Sequence, residues 1–207
     1  MSRNRITLSG ILRYRDNLRR LQMGTDQFFE DLAKELAARL LRKVILRTPV
    51  GVKPILQGPR TIKVTGERGR QKTFLSAEAA RLQQYWSGYT GGTLRRGWTA
   101  KTESEAESGR GGGKNVTDFV QNELSVQKIG NQYRITIINP VSYASYVEYG
   151  HIQEPGRYVP QIGKRLKKSW VEGQFMLTIS EMELRSEAPA IIERRIAAFL
   201  RRAMRDR

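Results

Sequence analysis

Residues 135–151, ITIINPVSYASYVEYGH, constrain the fold more than any other stretch of the chain. Tyr133, Ile135, Thr136, Ile137 and Ile138 form an apolar, β-branched run, and Asn139-Pro140 stops it abruptly. Tyr143, Tyr146, Val147 and Gly150 follow at helical spacing. The pattern predicts a buried strand, Ile135–Asn139, leading into a short helix closed by Gly150 as its C-cap. Tyr143, Tyr146 and Tyr149 put large apolar bodies with polar tips on that helix, a composition suited to a protein–protein contact. On periodicity alone, a core strand followed by a satisfied turn is the simpler reading.

Upstream, the periodicity predicts a helix over 25–47. Thr25 is placed to N-cap it, Asp26 sits in the first turn, and Arg42, Lys43 and Arg47 sit near the last, so both ends complement the macrodipole. Phe29, Leu32, Leu36, Leu40 and Val44 make its apolar stripe, and Pro49 ends it. Residues 1–24 read as a basic N-terminal arm, with Arg3, Arg5, Arg13, Arg15, Arg19 and Arg20 against Asp16. Such a segment is either an ordered arm docking on a neighbour or a frayed terminus.

Residues 51–90 are rich in Gly, Pro and cations: Lys53, Arg60, Lys63, Arg68, Arg70 and Lys72 against Glu67. A short strand is expected over 61–65 and a short helix opening at Ser76. The stretch reads as a protruding insertion, either a solvated loop or an arm facing DNA or a partner. Thr93–Lys101 is a strand candidate, and Glu103, Glu105, Glu107 with the glycines 109–113 read as a mobile loop. Two further strands, 116–128 and 132–139, are joined at Gly130-Asn131, a hairpin signal. A Pro/Gly loop follows over 153–163, and then the cluster Lys164, Arg165, Lys167 and Lys168. Phe175, Ile179 and Met182 open a helical pattern that Pro189 either restarts or kinks. Ile192, Ile196, Phe199 and Leu200 continue it, with Arg194, Arg195, Arg201, Arg202 and Arg205 on the other face. The expected class is α+β: a mainly antiparallel sheet with the long N-terminal helix and C-terminal helices on one face, and basic arms. Residues 25–207 are expected to form a single domain carrying the insertion at about 51–90.

Charge narrows the partners. The chain has 37 Lys+Arg against 20 Asp+Glu, a formal net charge of +17 over 207 residues. That excess points to a polyanion: nucleic acid, an acidic protein face or anionic lipid. Cysteine is absent, so no disulfide framework or thiolate metal site exists. No apolar run approaches a membrane span, and the Arg-rich start lacks a signal peptide's apolar region, so a soluble, non-exported product is expected.

Catalytic patterns fail one by one. The lone His151 cannot furnish a His-rich zinc or nuclease site, and no Gly-x-Ser-x-Gly elbow surrounds a serine. Glu148 precedes His151 by three residues, a spacing that lets the two side chains pair, in a structural or interface role rather than as an acid–base couple. The run from Gly109 to Lys114 lacks the spacer and following Ser/Thr of a phosphate-binding loop. No enzyme activity, cofactor or metal is expected.

The motifs also carry a resemblance. Thr48-Pro49-Val50 closing a helix, then Gly92-Thr93-Leu94-Arg95-Arg96-Gly97-Trp98, the strand Ile135–Asn139, Tyr143–His151, and Phe175-Met176-Leu177 stand in the order found in head–tail joining proteins of long-tailed bacteriophages. These are also called tail-completion, neck or minor capsid proteins. The chain resembles them over roughly 26–50 and 92–205. It departs from them in the 51–90 insertion, the long basic N-terminus, and Gly51 where an acidic residue is more usual.

The resemblance implies a structural virion protein at the head–tail junction, made in the host cytoplasm. It implies a homo-oligomer, a hexameric ring joining the tail terminator or tail tube protein to the head-side adaptor or portal complex. Packaged double-stranded DNA would pass through its lumen, with no membrane involved. The expected subunit or partner interface is Tyr143, Tyr146, Val147, Glu148, Tyr149 and His151. The expected DNA- or partner-facing cations are Arg60, Lys63, Arg68, Arg70, Lys72, Lys164, Arg165, Lys167 and Lys168. The competing expectation is a non-specific nucleic-acid-binding protein of phage or host, supported by net charge and by aromatic side chains available for stacking.

Overall fold

The structure, a computed structural model, describes residues 8–109 and 115–204. Its elements run α1 (Leu8–Arg47), β1 (Thr61–Thr65), β2 (Gln71–Leu75), α2 (Ala77–Trp86), α3 (Thr93–Gly97), α4 (Glu103–Ser108), α5 (Val116–Asn122), β3 (Gln127–Ile129), β4 (Gln132–Arg134), α6 (Ala144–Tyr149), β5 (Gly150–Ile152), β6 (Tyr158–Val159), β7 (Lys164–Arg165), β8 (Trp170–Glu172) and α7 (Met176–Ala203). The class is α+β, with long N- and C-terminal helices and short antiparallel strand pairs. Among the described residues the β component is four separate two-stranded pairs, β1–β2, β3–β4, β5–β8 and β6–β7, instead of one sheet under a helical layer. Residues 1–7 of the basic N-terminus, the glycines after Gly109, and Arg205 lie outside the described residues.

The chain divides into two compact units. The first holds α1, α5, the β3–β4 hairpin and α7 from Leu177 onward. Side-chain pairings fix α1 and α7 as antiparallel neighbours: Phe28 stacks on Phe199 at 4.5 Å, Glu35 meets Arg195 at 2.9 Å, and Lys43 meets Glu187 at 2.8 Å. Arg47 completes the series, donating to Ser180 Oγ and to Glu183 Oε1. Leu32, Leu41 and Val44 of α1 are buried, as are Phe119 and Val120 of α5 and Ile191 of α7. α5 crosses α1 near Arg42, whose guanidinium donates to Thr117 Oγ1 at 2.7 Å. α7 runs unbroken through Pro189, which forgoes one intrahelical hydrogen bond.

α1 begins at Leu8, well before the expected start at Thr25. Thr25 does not cap: its hydroxyl donates back to the Leu21 carbonyl at 2.6 Å, the i−4 bond by which threonine is accommodated inside a helix. The preceding Gly24 lies against the Phe199 ring, so the missing side chain serves helix–helix approach and not a chain break.

The second unit holds α2–α4, α6, β1, β2 and β5–β8. Here the expected strand at Thr93–Lys101 is instead the helix α3, entered through Gly92 in the left-handed region (φ 79°). The expected glutamate loop is α4, N-capped by Thr102, whose hydroxyl accepts from the Glu105 N–H. The first half of the expected strand 116–128 is α5, N-capped by Asn115. The expected buried strand Ile135–Asn139 is not a strand. β4 ends at Arg134, paired with Gln127, and Ile138 is exposed. By contrast β1, the β3–β4 turn at Gly130-Asn131, α2 with Ser76 as N-cap, and α6 closed by Gly150 stand where the sequence puts them.

Candidate partner interface

Three sequence motifs of the second unit converge to support the tyrosine helix. Arg95 Nε and Nη2 both donate to the Thr48 carbonyl, at 3.1 and 2.6 Å, and Trp98 Nε1 donates to Thr48 Oγ1 at 2.7 Å. Arg96 turns inward as well, donating to the carbonyls of Ala106 at 2.7 Å and Gly91 at 2.6 Å. Asn139 Nδ2 donates to the Leu94 carbonyl at 2.9 Å, while its Oδ1 accepts from the Val141 N–H at 3.2 Å. A planar guanidinium with several donors is suited to gathering backbone carbonyls in this way. The arginines of this segment are thus structural cement, a role the sequence does not distinguish from phosphate binding.

The helix itself hangs from that scaffold. Glu103 accepts from the Ser142 N–H at 3.0 Å and from its hydroxyl at 2.8 Å, just before Tyr143. Those hydrogen bonds, the backbone one foremost, hold the Glu103 carboxyl below the usual carboxylate range. At the other end Gly150 takes φ 84°, and the chain turns straight into β5, which pairs with β8 so that His151 faces Val171. The Gln174 and Phe175 N–H groups donate to the Val147 and Glu148 carbonyls at 2.8 and 3.0 Å, satisfying acceptors that a helix end leaves open.

The expected interface residues part into two groups. Tyr143, Tyr146 and Tyr149 are 42, 58 and 61 % exposed, and at three-residue spacing they share one side of α6. Glu148 is buried and Val147 half-buried, so both belong to the helix's inner side. His151 sets its ring 5.7 Å from that of Tyr146, and its Nδ1 is buried without a hydrogen-bond partner among the described residues. Burial, followed by the proximity of Tyr89, Glu103 and Glu107, pushes the Tyr143 phenol above its ordinary range.

The expected cations lie on two hairpins. Arg60, Lys63, Arg68, Arg70 and Lys72 are all exposed on or beside β1–β2. Lys164 and Arg165 form β7, with Lys167 and Lys168 just after it, and all four are exposed. Arg165 Nη1 donates to the Gly156 carbonyl at 2.7 Å, which leaves the three lysines as the freer charges. α2 touches both hairpins: Trp86 Nε1 donates to the Gln161 carbonyl at 2.7 Å in the β6–β7 turn, and a cleft between α2 and the root of β1–β2 is lined by Leu56, Leu75, Ala79 and Leu82. Among the described residues there is no acidic or histidine cluster able to hold a metal, and no helix long and apolar enough to cross a membrane.

A family model described as a bacteriophage tail component of the HK97-gp10 type matches residues 13–150, two thirds of the chain. The match begins inside α1, runs through the β1–β2 hairpin and the Trp98 segment, and stops at Gly150. No curated protein and no solved structure matches the chain.

Proposed function

The chain belongs to the HK97-gp10-like family of bacteriophage tail components, and on that premise we propose that it is a structural protein of the neck. In this reading it completes the tail and connects it to the head-side adaptor or portal complex. It does so as a homo-oligomeric, hexameric ring through which double-stranded DNA passes, with the tail terminator or tail tube protein on its other side. The observation that carries the reading is the exposed tyrosine side of α6, held by a buried polar scaffold. Aromatic side chains on a rigid element are what a durable protein contact requires. The exposed cations of the β6–β7 hairpin suit a lumen that must tolerate phosphate without reading sequence.

Cryo-electron microscopy of particles from the source is the test. Density for this chain as a ring between capsid and tail is the expected result. Its absence from every virion, combined with steeply salt-dependent DNA binding by the purified protein, would replace this reading with that of a free nucleic-acid binder. The net charge of +17 is the observation favouring that second reading.

A further inference from the structure

The β1–β2 hairpin has two unlike faces. Its register sets Ile62 opposite Phe74 and Val64 opposite Lys72, so those four side chains share one face. Ile62, Val64 and Phe74 remain 44, 47 and 49 % exposed. A two-stranded ribbon is marginal in water without something packed on its apolar side, and a contiguous exposed apolar patch ringed by charge marks a contact surface. Around the hairpin stand Arg60, Lys63, Arg68, Arg70 and Lys72 against Glu67 alone.

The same unit carries a surface of opposite character. Tyr143 and Tyr146 present exposed aromatic faces, and the neighbouring α4 brings Glu103 and Glu107 close to the Tyr143 phenol. Glu103 is fixed there by its bonds to Ser142, so the acidic and aromatic groups form one rigid patch.

We propose that the apolar, basic β1–β2 hairpin docks on the tyrosine- and glutamate-bearing α4–α6 surface of a second copy of this chain. The occupant is a second copy because the chain itself supplies both halves: an apolar ribbon ringed by five cations, and an aromatic patch bordered by carboxylates. Complementary charge orients such a contact and the apolar and aromatic groups give it strength. Because the two patches differ, the contact is head-to-tail and repeats from copy to copy until a ring closes. The inference rests on the ring reading above and names the surfaces that would build the ring.

The chain contains no cysteine, so engineered pairs report without background. The full-chain F74C/Y146C variant is oxidised both as purified protein and in particles, alongside F74C and Y146C alone. The expected result is a ladder of disulfide-linked species running past the dimer in the double variant, with each single variant remaining monomeric because its cysteine faces no second cysteine across a head-to-tail contact. Charge reversal K63E/K72E lowers the ladder yield by about tenfold, whereas K167E/K168E, on the other hairpin, leaves it unchanged; circular dichroism confirms that each variant is folded. Ring-sized assemblies without the ladder overturn this contact and leave the ring reading standing. A single copy per particle overturns both. A missing ladder together with loss of DNA retention in K63E/K72E assigns the hairpin to DNA and also overturns the contact.

Discussion

Trp98 Nε1 donates a 2.7 Å hydrogen bond to Thr48 Oγ1, with both residues buried, and so ties the segment after α1 to the exit of α3. Thr48→Val keeps the volume and branching of the side chain while removing the acceptor. The buried indole N–H then has no partner, at a cost of about 1–3 kcal/mol. Thermal unfolding followed by circular dichroism should show Tm falling by roughly 2–4 °C per kcal/mol for a chain of this size. Thr48→Ser retains the acceptor and should fall less. An unchanged Tm in Thr48→Val would remove this bond from the scaffold.

Gly150 makes a sharper prediction. Its φ of 84° disfavours any side chain, and a Cβ there would also run into the Val171 carbonyl, the Trp170 ring and the Gly173 N–H. Gly150→Ala should therefore destabilise the second unit by more than about 1 kcal/mol. Gly156→Ala is the control, at φ 88° but with open space around it, and should pay only for the backbone strain. Equal losses in the two variants would mean that the close crossing of the end of α6 and β8 contributes nothing.

In the first unit, Asp26 accepts from Lys128 Nζ at 2.7 Å and from the Tyr133 hydroxyl at 2.6 Å, and these bonds hold its carboxyl below the ordinary range. A carboxylate whose pKa is depressed by folding contributes stability that is present above its unfolded value, near 4, and lost as pH falls through the folded value. Glu183, paired with Lys43 and Arg47, acts in the same direction. Stability should hold through neutral pH and decline below about pH 4. Asp26→Asn should flatten part of that acid decline in chemical denaturation at pH 3 and pH 7; a parallel decline in variant and parent would dismiss the pair. The Asp26–Lys128 pair, being exposed, should matter less as salt rises.

The freer lysines of the β6–β7 region predict a salt effect. If Lys164, Lys167 and Lys168 neutralise phosphates, replacing all three with glutamine should lower the slope of log K against log salt for duplex DNA. The expected reduction is about 0.9 for each phosphate no longer neutralised. Fluorescence anisotropy on a labelled duplex measures it. An unaltered slope would locate any DNA binding elsewhere on the chain.

What the sequence disclosed and what it hid have identifiable physical causes. Local signals were legible: Ser76 caps α2, Gly130-Asn131 turns β3 into β4, and Gly150 closes α6. The tyrosine surface could be read because three-residue spacing is visible in one dimension. Errors arose where a residue's partner is distant in sequence or where two local signals compete. Thr25 has the chemistry of an N-cap, yet continuing helix on both sides turns its hydroxyl to Leu21. Leu94 and Trp98 flanking two arginines resemble a strand, whereas the carbonyls of Thr48, Gly91 and Ala106 that draw the arginines inward are scattered along the chain. One missed element was available: Thr102 with Glu105 three residues on is the start signal of α4. Ile135–Ile138 has strong strand propensity but, among the described residues, pairs with no strand, which propensity cannot reveal.

The exposed tyrosines give the most direct test of what this surface is for. Tyr146 and Tyr149 are more than half exposed, and no hydrogen bond of either side chain is seen among the described residues. Surface substitutions of this kind change stability by about 0.5 kcal/mol or less. Tyr146→Ser/Tyr149→Ser should therefore unfold at nearly the parental temperature. Aromatic anchors at the centre of an interface cost about 2 kcal/mol or more when truncated, so incorporation of the same variant into particles should fall at least tenfold in a complementation assay. Normal incorporation at parental Tm would assign the tyrosine side of α6 to solvent. A collapse of Tm would make it part of the core, and either outcome would require the partner interface to lie elsewhere.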